Sequence, residues 1–178
     1  MKYIDWLIEV ASLNVNGLND LTKRGVILKT IKDQDLDFAV LVDSRLSDDY
    51  TTRQSLVRAE QSHIEICGNS STEKGILVII KKTTNVKITK VTKDEDGQYI
   101  LIEIIHEQRP LLLVGVYGPS DSDNLAFWED LIEKIEMLEY ENYILIGDCN
   151  FYLNHETDSW NYASGRNCLL YTSPSPRD

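Results

Sequence analysis

The chain has 178 residues, of which 42% are hydrophobic and 26% are charged, and its formal net charge is −11. These values are typical of one globular domain with a real hydrophobic core, and the sequence contains neither a membrane-length apolar stretch nor a secretory signal. The acidic balance disfavours a broad basic surface for nucleic acid, although one local basic strip could still contact phosphates. The candidates for that strip are Lys23, Arg24, Arg45, Arg53 and Arg58.

Two short apolar runs near the start of the chain predict buried strands. Residues 8–13 form the first run, which ends at Asn14, and residues 37–42 form the second, which ends at Asp43. Short apolar runs that polar residues bound are typical of buried strands. With a helix between them, these runs predict a β–α–β start.

The segment between these two strands predicts a helix over residues 21–32. Asn19 or Asp20 can cap the first free amides of this helix. Gly25 inside it costs about 1 kcal/mol relative to alanine, so packing must stabilise the helix. The apolar residues that fall on one face are Leu21, Ile27, Leu28 and Ile31.

The middle of the chain predicts strands with short connections. Residues 47–61 are polar, and we expect a loop with a short helix there. Strand-like segments then follow at residues 64–67, 75–81, 86–91, 99–105 and 111–117. Turn signals at residues 94–97 and 107–110 make the connections short, which indicates an antiparallel meander. Ile100, Ile102 and Ile104 alternate toward one face, as a sheet packed on one side requires.

A helix and a strand are predicted at the end of the apolar pattern. Residues 124–140 show helical spacing, and residues 143–146 form a short run that leads into Gly147 and Asp148. A glycine at that position lets the chain bend sharply and lets a ligand approach the backbone. We expect the apolar stripe of the helix to lie in the core, and it consists of Leu125, Trp128, Leu131, Ile132, Ile135 and Leu138.

The last residues differ in composition from the rest of the chain. Residues 168–178 contain two Ser-Pro steps and show no periodicity. We expect a disordered, non-native tail of translated adapter or vector sequence there, and a natural disordered tail is the alternative. The predicted domain therefore comprises residues 1–167.

Polar side chains follow the predicted strands where they end, and their chemistry suits a divalent metal and a phosphate. Asn14, Asp43, Asp148 and Asn150 offer the hard oxygen ligands that Mg²⁺ and Mn²⁺ prefer. Asp148 can orient or deprotonate a water, and Asn150 can donate to a phosphate oxygen. Tyr117 could hold or protonate a phosphate oxygen. Because these groups come from separated parts of the chain, together they predict an active site for phosphodiester hydrolysis.

Several segments resemble motifs of the endonuclease/exonuclease/phosphatase superfamily, which includes deoxyribonuclease I and the apurinic endonucleases. The segments are residues 13–18, followed by Lys23 and Arg24, and residues 74–79, 116–119 and 147–150. In order and spacing they are most similar to the endonuclease domain of LINE-type non-LTR retrotransposons. The resemblance covers about residues 8–164, and its motifs are specific when taken together.

The resemblance implies an α/β (α+β) fold, a four-layered α/β sandwich with two mixed or antiparallel sheets flanked by helices. It implies a Mg²⁺- or Mn²⁺-dependent endonuclease that nicks target-site DNA duplex as an intracellular, nuclear monomer without membrane association, and it leaves room for a reverse transcriptase domain in the parent protein. Asn14 and Asp43 would hold the metal. The implied catalytic residues are Asp148, Asn150, Tyr117, Asn14 and Asp43, and the implied substrate-binding residues are Asn16, Lys23, Arg24 and Arg45.

Two departures from the family pattern affect this expectation. Where the family has a glutamate, this chain has Asp43, whose carboxylate reaches about 1.5 Å less far because it has one methylene fewer. The family also closes its site with a C-terminal Asp and an Asp–His pair, which we do not find here; His155 lies too close to Asp148 to serve. We therefore expect a C-terminally truncated domain that is inactive or nearly so as this fragment.

Two other functions fit the same residues. One is a different superfamily substrate, such as an abasic site, a nucleotide or a phosphoinositide. The other is a degenerate domain that survives as a non-catalytic interaction module, which the aspartate at position 43 and the acidic balance favour.

Overall fold

The computed structural model describes residues 8–60, 63–68, 74–120 and 124–150, and in these ranges it has eight strands and three helices. They divide into two compact units. The first unit holds both sheets and extends to Tyr117, with Glu139–Asp148 added; the second contains Gly118–Leu138 and the chain from Cys149. The predicted tail at residues 168–178 and its boundary lie outside the described residues.

The first sheet combines one parallel pair with two antiparallel pairs. Its strands are β1 (Val10–Asn14), β2 (Phe38–Val42), β3 (His63–Cys67) and β4 (Ile76–Ile80), in the spatial order β1-β2-β4-β3. β1 and β2 are parallel, and β4 pairs antiparallel with both β2 and β3. Every residue of β2 and β4 is buried, as expected for central strands that are covered on both faces.

The second sheet contains the meander that the turn signals predict. Its strands are β5 (Val86–Lys93), β6 (Tyr99–His106), β7 (Arg109–Tyr117) and β8 (Tyr143–Asp148), in that order. β5, β6 and β7 are antiparallel neighbours, whereas β7 and β8 are parallel. The meander is thus interrupted between β4 and β5, where the chain passes from one sheet to the other.

The turn predicted at residues 107–110 is shorter in the structure. Pro110 is a strand residue paired with Ile105, so only Glu107 and Gln108 connect β6 to β7. Both have positive φ, 47° and 69°, which is the conformation of a type I′ hairpin. The prediction was too long because neither residue is the glycine or asparagine that usually marks this turn.

Three helices accompany the sheets. They are α1 (Leu21–Asp33), α2 (Tyr50–Glu60) and α3 (Asn124–Met137). Of the two predicted caps for α1, Asp20 is the one used, since its side chain accepts from the Lys23 amide at 2.7 Å. α3 ends three residues earlier than predicted. None of these helices in the described ranges is long and apolar enough to cross a bilayer.

Two hydrophobic clusters form the core, one on each face of the first sheet. Between the sheets, alternate residues of β2 and β4 pack against Ile100, Ile102 and Ile104, each fully buried. On the outer face, Leu28 of α1 and Leu56 of α2 pack with residues of β2, β3 and β4. Each such side chain contributes about 1.5–3 kcal/mol to folding when it leaves water. The predicted α+β fold with two mixed sheets and flanking helices is confirmed.

Two predicted core residues are instead exposed. Leu21 opens α1 and is 72% exposed, and Leu125 near the start of α3 is 52% exposed. Both lie in the first turn of their helices, and the rest of each apolar stripe lies closer to the core. Trp128, Leu131 and Ile135 are buried in the second unit, as predicted.

Candidate active site

The site is built where parallel strands end. β1 and β2 run parallel in the first sheet and end at Asn14 and Val42, and β7 and β8 run parallel in the second and end at Tyr117 and Asp148. Because the two strands of each pair run in the same direction, their last residues lie side by side at one end of the sheet. A hydrogen bond joins the two edges, since the Asn14 amide nitrogen donates to a carboxylate oxygen of Asp148 at 3.0 Å.

Asp43 follows β2 directly and is held from both sides. Its backbone oxygen accepts a hydrogen bond from the Gly17 amide at 2.7 Å, and this bond joins the loop after β1 to the loop after β2. Its φ of 54° is uncommon, but aspartate tolerates the left-handed region better than most residues. The residue is buried, with 5% of its surface exposed. A buried carboxylate needs partners, and Arg45 supplies them.

Arg45 binds Asp43 through two hydrogen bonds. Its Nε donates to Oδ1 of Asp43 at 2.8 Å, and its Nη2 donates to Oδ2 at 3.0 Å. The same Nη2 also donates to the side-chain oxygen of Asn16 at 3.0 Å. Bidentate arginine–carboxylate pairs are among the stronger polar contacts in proteins. The guanidinium therefore connects the loop after β1 with the loop after β2.

Tyr117 lies in the electrostatic field of these charged groups. Its backbone pairs with Asp148 across β7 and β8, and its pKa is raised above the ordinary value. Burial is the largest cause, the charges of Asp43 and Asp148 add to it, and the charge of Arg45 opposes it. The phenol is therefore protonated at neutral pH and can act as a hydrogen-bond donor. We call Asn14, Asp43, Tyr117 and Asp148 the strand-end group.

Gly147 allows β8 to reach this position. Its φ is +152°, and a Cβ there would lie 1.8 Å from the carbonyl oxygen of Val116. No side chain fits at such a distance, so only glycine can precede Asp148 in this pairing. The bend that the sequence predicts here is thus a close approach of two strands.

Two other predicted site residues, Lys23 and Arg24, donate hydrogen bonds to protein groups. Lys23 donates from its ammonium group to the backbone oxygen of Asn16 at 2.9 Å. Arg24 is buried, its guanidinium donates to the Leu18 carbonyl and the Ser55 hydroxyl, and burial lowers its pKa. Their substrate contacts stay predictions.

Asn150 belongs to the second unit. It has a φ of 52°, and its side-chain nitrogen donates to the Gly118 carbonyl at 2.7 Å. This bond holds the chain after β8 to the chain after β7. A phosphate contact by Asn150 stays a prediction.

The basic strip that the sequence suggested is only partly assembled from described side chains. Arg53 forms ion pairs with Asp48 and Glu65, so its charge is already balanced by protein. The side chain of Arg58 lies outside the described part of the structure.

The strand-end group has donors of the type that Mg²⁺ uses. Asp43 offers a carboxylate, and Asn14 offers an amide oxygen that also accepts from the Asn16 amide at 3.1 Å. Mg²⁺ is commonly held by one or two carboxylates with several waters. Over the residues that the structure describes, no cluster of three or more histidine, cysteine, aspartate or glutamate residues could hold a metal. Asp43 and Asn14 are thus oxygen donors of the type that a divalent metal binds, and both Asp43 oxygens accept hydrogen bonds from Arg45.

The sequence did not reveal this pairing. It marked Arg45 as a substrate contact and Asp43 as a metal ligand, but it did not predict that the two side chains bind each other. The only signal was an aspartate and an arginine two residues apart in one polar loop. In this loop Asp43 and Arg45 both have positive φ, so their contact is made in a backbone conformation that the sequence does not mark.

Comparison with known proteins relates the fold to characterised enzymes. No family model matches the chain. TDP2 from C. elegans matches with a TM-score of 0.58 and 16% identity over 82% of this chain and 48% of that chain. An AP endonuclease from Archaeoglobus fulgidus gives 0.58 and 15% over 82% and 58%, and D. rerio TDP2 complexed with single-strand DNA product gives 0.60 and 13% over 82% and 61%.

These similarities establish the fold, and the chain spans about half to three fifths of the length of these structures. TDP2 and the AP endonucleases belong to the superfamily whose motifs the sequence resembles. The chain therefore has the same fold as these structures.

Proposed function

We propose that the chain is a divalent-metal-dependent DNA phosphodiesterase, specifically the nicking endonuclease domain of a LINE-type retrotransposon. One observation carries the proposal: the hydrogen bond from Asn14 to Asp148, which joins the ends of two sheets beside Asp43 and Tyr117. Strand ends that gather carboxylates, an amide and a phenol are a setting for hydrolysis at a phosphate.

Each member of the strand-end group has a distinct role in this proposal. The Asn14 amide fixes one oxygen of Asp148 and so orients that carboxylate to take a proton from the attacking water. The protonated phenol of Tyr117 donates to a phosphate oxygen. Asn14 and Asp43 would hold Mg²⁺ or Mn²⁺, which when bound neutralises charge on the phosphate.

The structural similarities support the choice of DNA. One similar structure is TDP2 complexed with single-strand DNA product, and another is an AP endonuclease. The finer assignment to a LINE-type element rests on the motif resemblance of residues 13–18, 116–119 and 147–150. A nuclear, monomeric protein that acts on target-site duplex, with a reverse transcriptase domain in its parent, is part of the same proposal.

A plasmid-nicking assay with the full chain tests the proposal. In line with the very low activity expected of this fragment, supercoiled plasmid should be nicked only slowly in Mg²⁺ or Mn²⁺ and not at all in EDTA. Asp148→Asn should lower the rate by about 10²- to 10⁴-fold, the usual contribution of a general base. Asp96→Asn in the exposed turn between β5 and β6 makes the same chemical change elsewhere and should leave the rate unchanged. Equal nicking by the Asp148 variant would contradict the assignment.

Alternative substrates can be compared in the same assay. An abasic duplex, a plain duplex and a phosphoinositide distinguish a nicking endonuclease from a repair enzyme or a lipid phosphatase. The archaeal AP endonuclease among the similar structures is the reason to include the abasic duplex. A rate on abasic duplex far above that on plain duplex would reassign the substrate.

A non-catalytic interaction module is the second candidate. It is favoured by the Asp43–Arg45 pair, because both oxygens of the predicted metal ligand are engaged. Such a module would show no Mn²⁺ binding that Asp43→Ala abolishes. Calorimetric titration of Mn²⁺ into the chain and into this variant separates the two candidates.

A further inference from the structure

The Arg45 guanidinium binds both carboxylate oxygens of Asp43, which is the predicted metal ligand. The Asp43 side chain is 8% exposed and the Arg45 side chain is 44% exposed, so the carboxylate is buried beneath an accessible cation. Each carboxylate oxygen accepts one hydrogen bond from Arg45, at 2.8 and 3.0 Å. A metal ligated by Asp43 needs at least one of these oxygens, and its charge would repel the guanidinium. Metal binding and the Asp43–Arg45 pair therefore weaken each other.

The exposure of Arg45 favours an exchange of partner. Its side chain is 44% exposed and passes over Gly17, where a Cβ would lie 3.5 Å from the Arg45 Cδ. One of its other contacts is the side-chain oxygen of Asn16, which is an exposed residue. Guanidinium groups bind phosphate through the same planar fork that they use for carboxylates. A phosphodiester that reached this loop could therefore exchange with Asp43 as the partner of Arg45.

We infer that Arg45 is an internal counter-ion that couples metal binding to phosphodiester binding. This inference rests on the proposed function, since it assumes that a metal and a phosphate meet at the strand-end group. Without substrate, Arg45 neutralises Asp43 and keeps metal affinity low. A substrate phosphate draws the guanidinium away and frees the carboxylate for the metal. By linkage, the metal strengthens phosphate binding by the same factor.

Titration of Mn²⁺ followed by calorimetry and electron paramagnetic resonance tests this coupling. Into the wild-type chain, Mn²⁺ should bind weakly, and a saturating oligothymidylate octamer should tighten binding by about 5- to 150-fold, the usual range of coupling between sites. The octamer alone serves as the blank. In Arg45→Ala, Mn²⁺ should bind at least about tenfold tighter without the octamer, and the octamer should add little.

Three variants control for charge, fork geometry and ligation. Arg109→Ala removes the same charge at the opposite end of β7 and should leave Mn²⁺ affinity unchanged. Arg45→Lys keeps the charge but not the fork, and its affinity should fall between those of wild type and Arg45→Ala. Asp43→Asn should abolish the tight binding that Arg45→Ala creates. Thermal melting by circular dichroism establishes that each variant is folded.

The outcomes are separable from those of the nicking assay. If Arg45→Ala is folded and binds Mn²⁺ no more tightly than wild type, the counter-ion role is overturned, whether or not plasmid is nicked. The same holds if Arg109→Ala gives an equal gain. If the coupling is present but Asp148→Asn nicks plasmid as fast as the wild-type chain, the role of Arg45 stands and the proposed reaction is wrong.

Discussion

Two arginine–carboxylate clusters lie in the first unit, and they differ in how their charges balance. In the ion-pair network, Arg53 and Lys93 contact Asp48 and Glu65, so two cations meet two carboxylates. At the strand-end group, Arg45 binds Asp43, and Asp148 accepts a hydrogen bond from the neutral amide of Asn14. Each carboxylate of the network thus pairs with two cations, whereas the contact that joins the two sheets at the strand-end group is with a neutral amide.

The pKa values reflect the same difference. Burial alone would raise the pKa of Glu65, but hydrogen bonds from His63 and Lys93 and the charges of Lys93 and Arg53 lower it to about 2. At the strand-end group burial is the largest cause of the raised pKa of Tyr117, the charges of Asp43 and Asp148 add to it, and Arg45 opposes it. The partners of Glu65 thus keep it ionised, whereas the phenol of Tyr117 stays protonated beside two carboxylates, and shifted pKa values in such surroundings are common at functional sites.

The largest expected effect comes from the glycine that supports the strand-end group. Gly147→Ala should destabilise the fold by at least about 3 kcal/mol, because its Cβ would overlap the Val116 carbonyl and its φ disfavours a side chain. Urea unfolding measures the change. Gly25→Ala is the matched control, since nothing lies within 4 Å of a Cβ there and alanine in α1 should add about 0.5–1 kcal/mol. Equal effects of the two variants would contradict the packing at β8.

The second expected effect is a pH dependence of stability that arises in the ion-pair network. The pKa of Glu65 is about 2 in the folded chain, against an ordinary 4.5, so this carboxylate stabilises the fold above pH 4.5 and the contribution is lost as the pH falls toward 2. The shift corresponds to at most about 3 kcal/mol, and solvent screening of this partly exposed network lowers the contribution below that. In Glu65→Gln, stability should depend less on pH in this window, and unfolding at pH 7, 4.5 and 3 measures it. An unchanged slope would show that other groups cause the acid sensitivity.

The strands were predictable because burial leaves a strong pattern in the sequence. The continuous apolar runs of β2 and β4 identify strands that are buried on both faces. The alternation of Ile100, Ile102 and Ile104 identifies a strand and the face that it buries. The spatial order was not predictable, because placing β4 between β2 and β3 depends on long-range pairing that no local pattern encodes. The hairpin at Glu107 and Gln108 was mislocated for a local reason: both residues adopt positive φ without the usual glycine.

The candidate site was predictable as a set of strand ends but not as a set of contacts. Residue type and position suggested that Asn14, Asp43, Tyr117 and Asp148 share an edge, and the structure brings them together. The partner of each side chain depends on loop geometry, which the sequence does not display. Asp43 and Arg45 pair in a loop where both residues have positive φ, a conformation that neither residue type signals in the sequence.

The smallest expected effect tests the bond that joins the two sheets. Asn14 and Asp148 interact at 3.0 Å at an exposed position, where a hydrogen bond contributes about 1 kcal/mol. A double-mutant cycle with Asn14→Ala and Asp148→Ala should therefore give a coupling energy of about 1 kcal/mol in urea unfolding. Asn14→Ala with Asp96→Ala, a carboxylate in the turn after β5, should give none. If both cycles are additive, the sheets do not share this contact and Asn14 cannot orient Asp148. The strand-end group would then differ from the ion-pair network in its charges only, and not in joining the ends of two sheets.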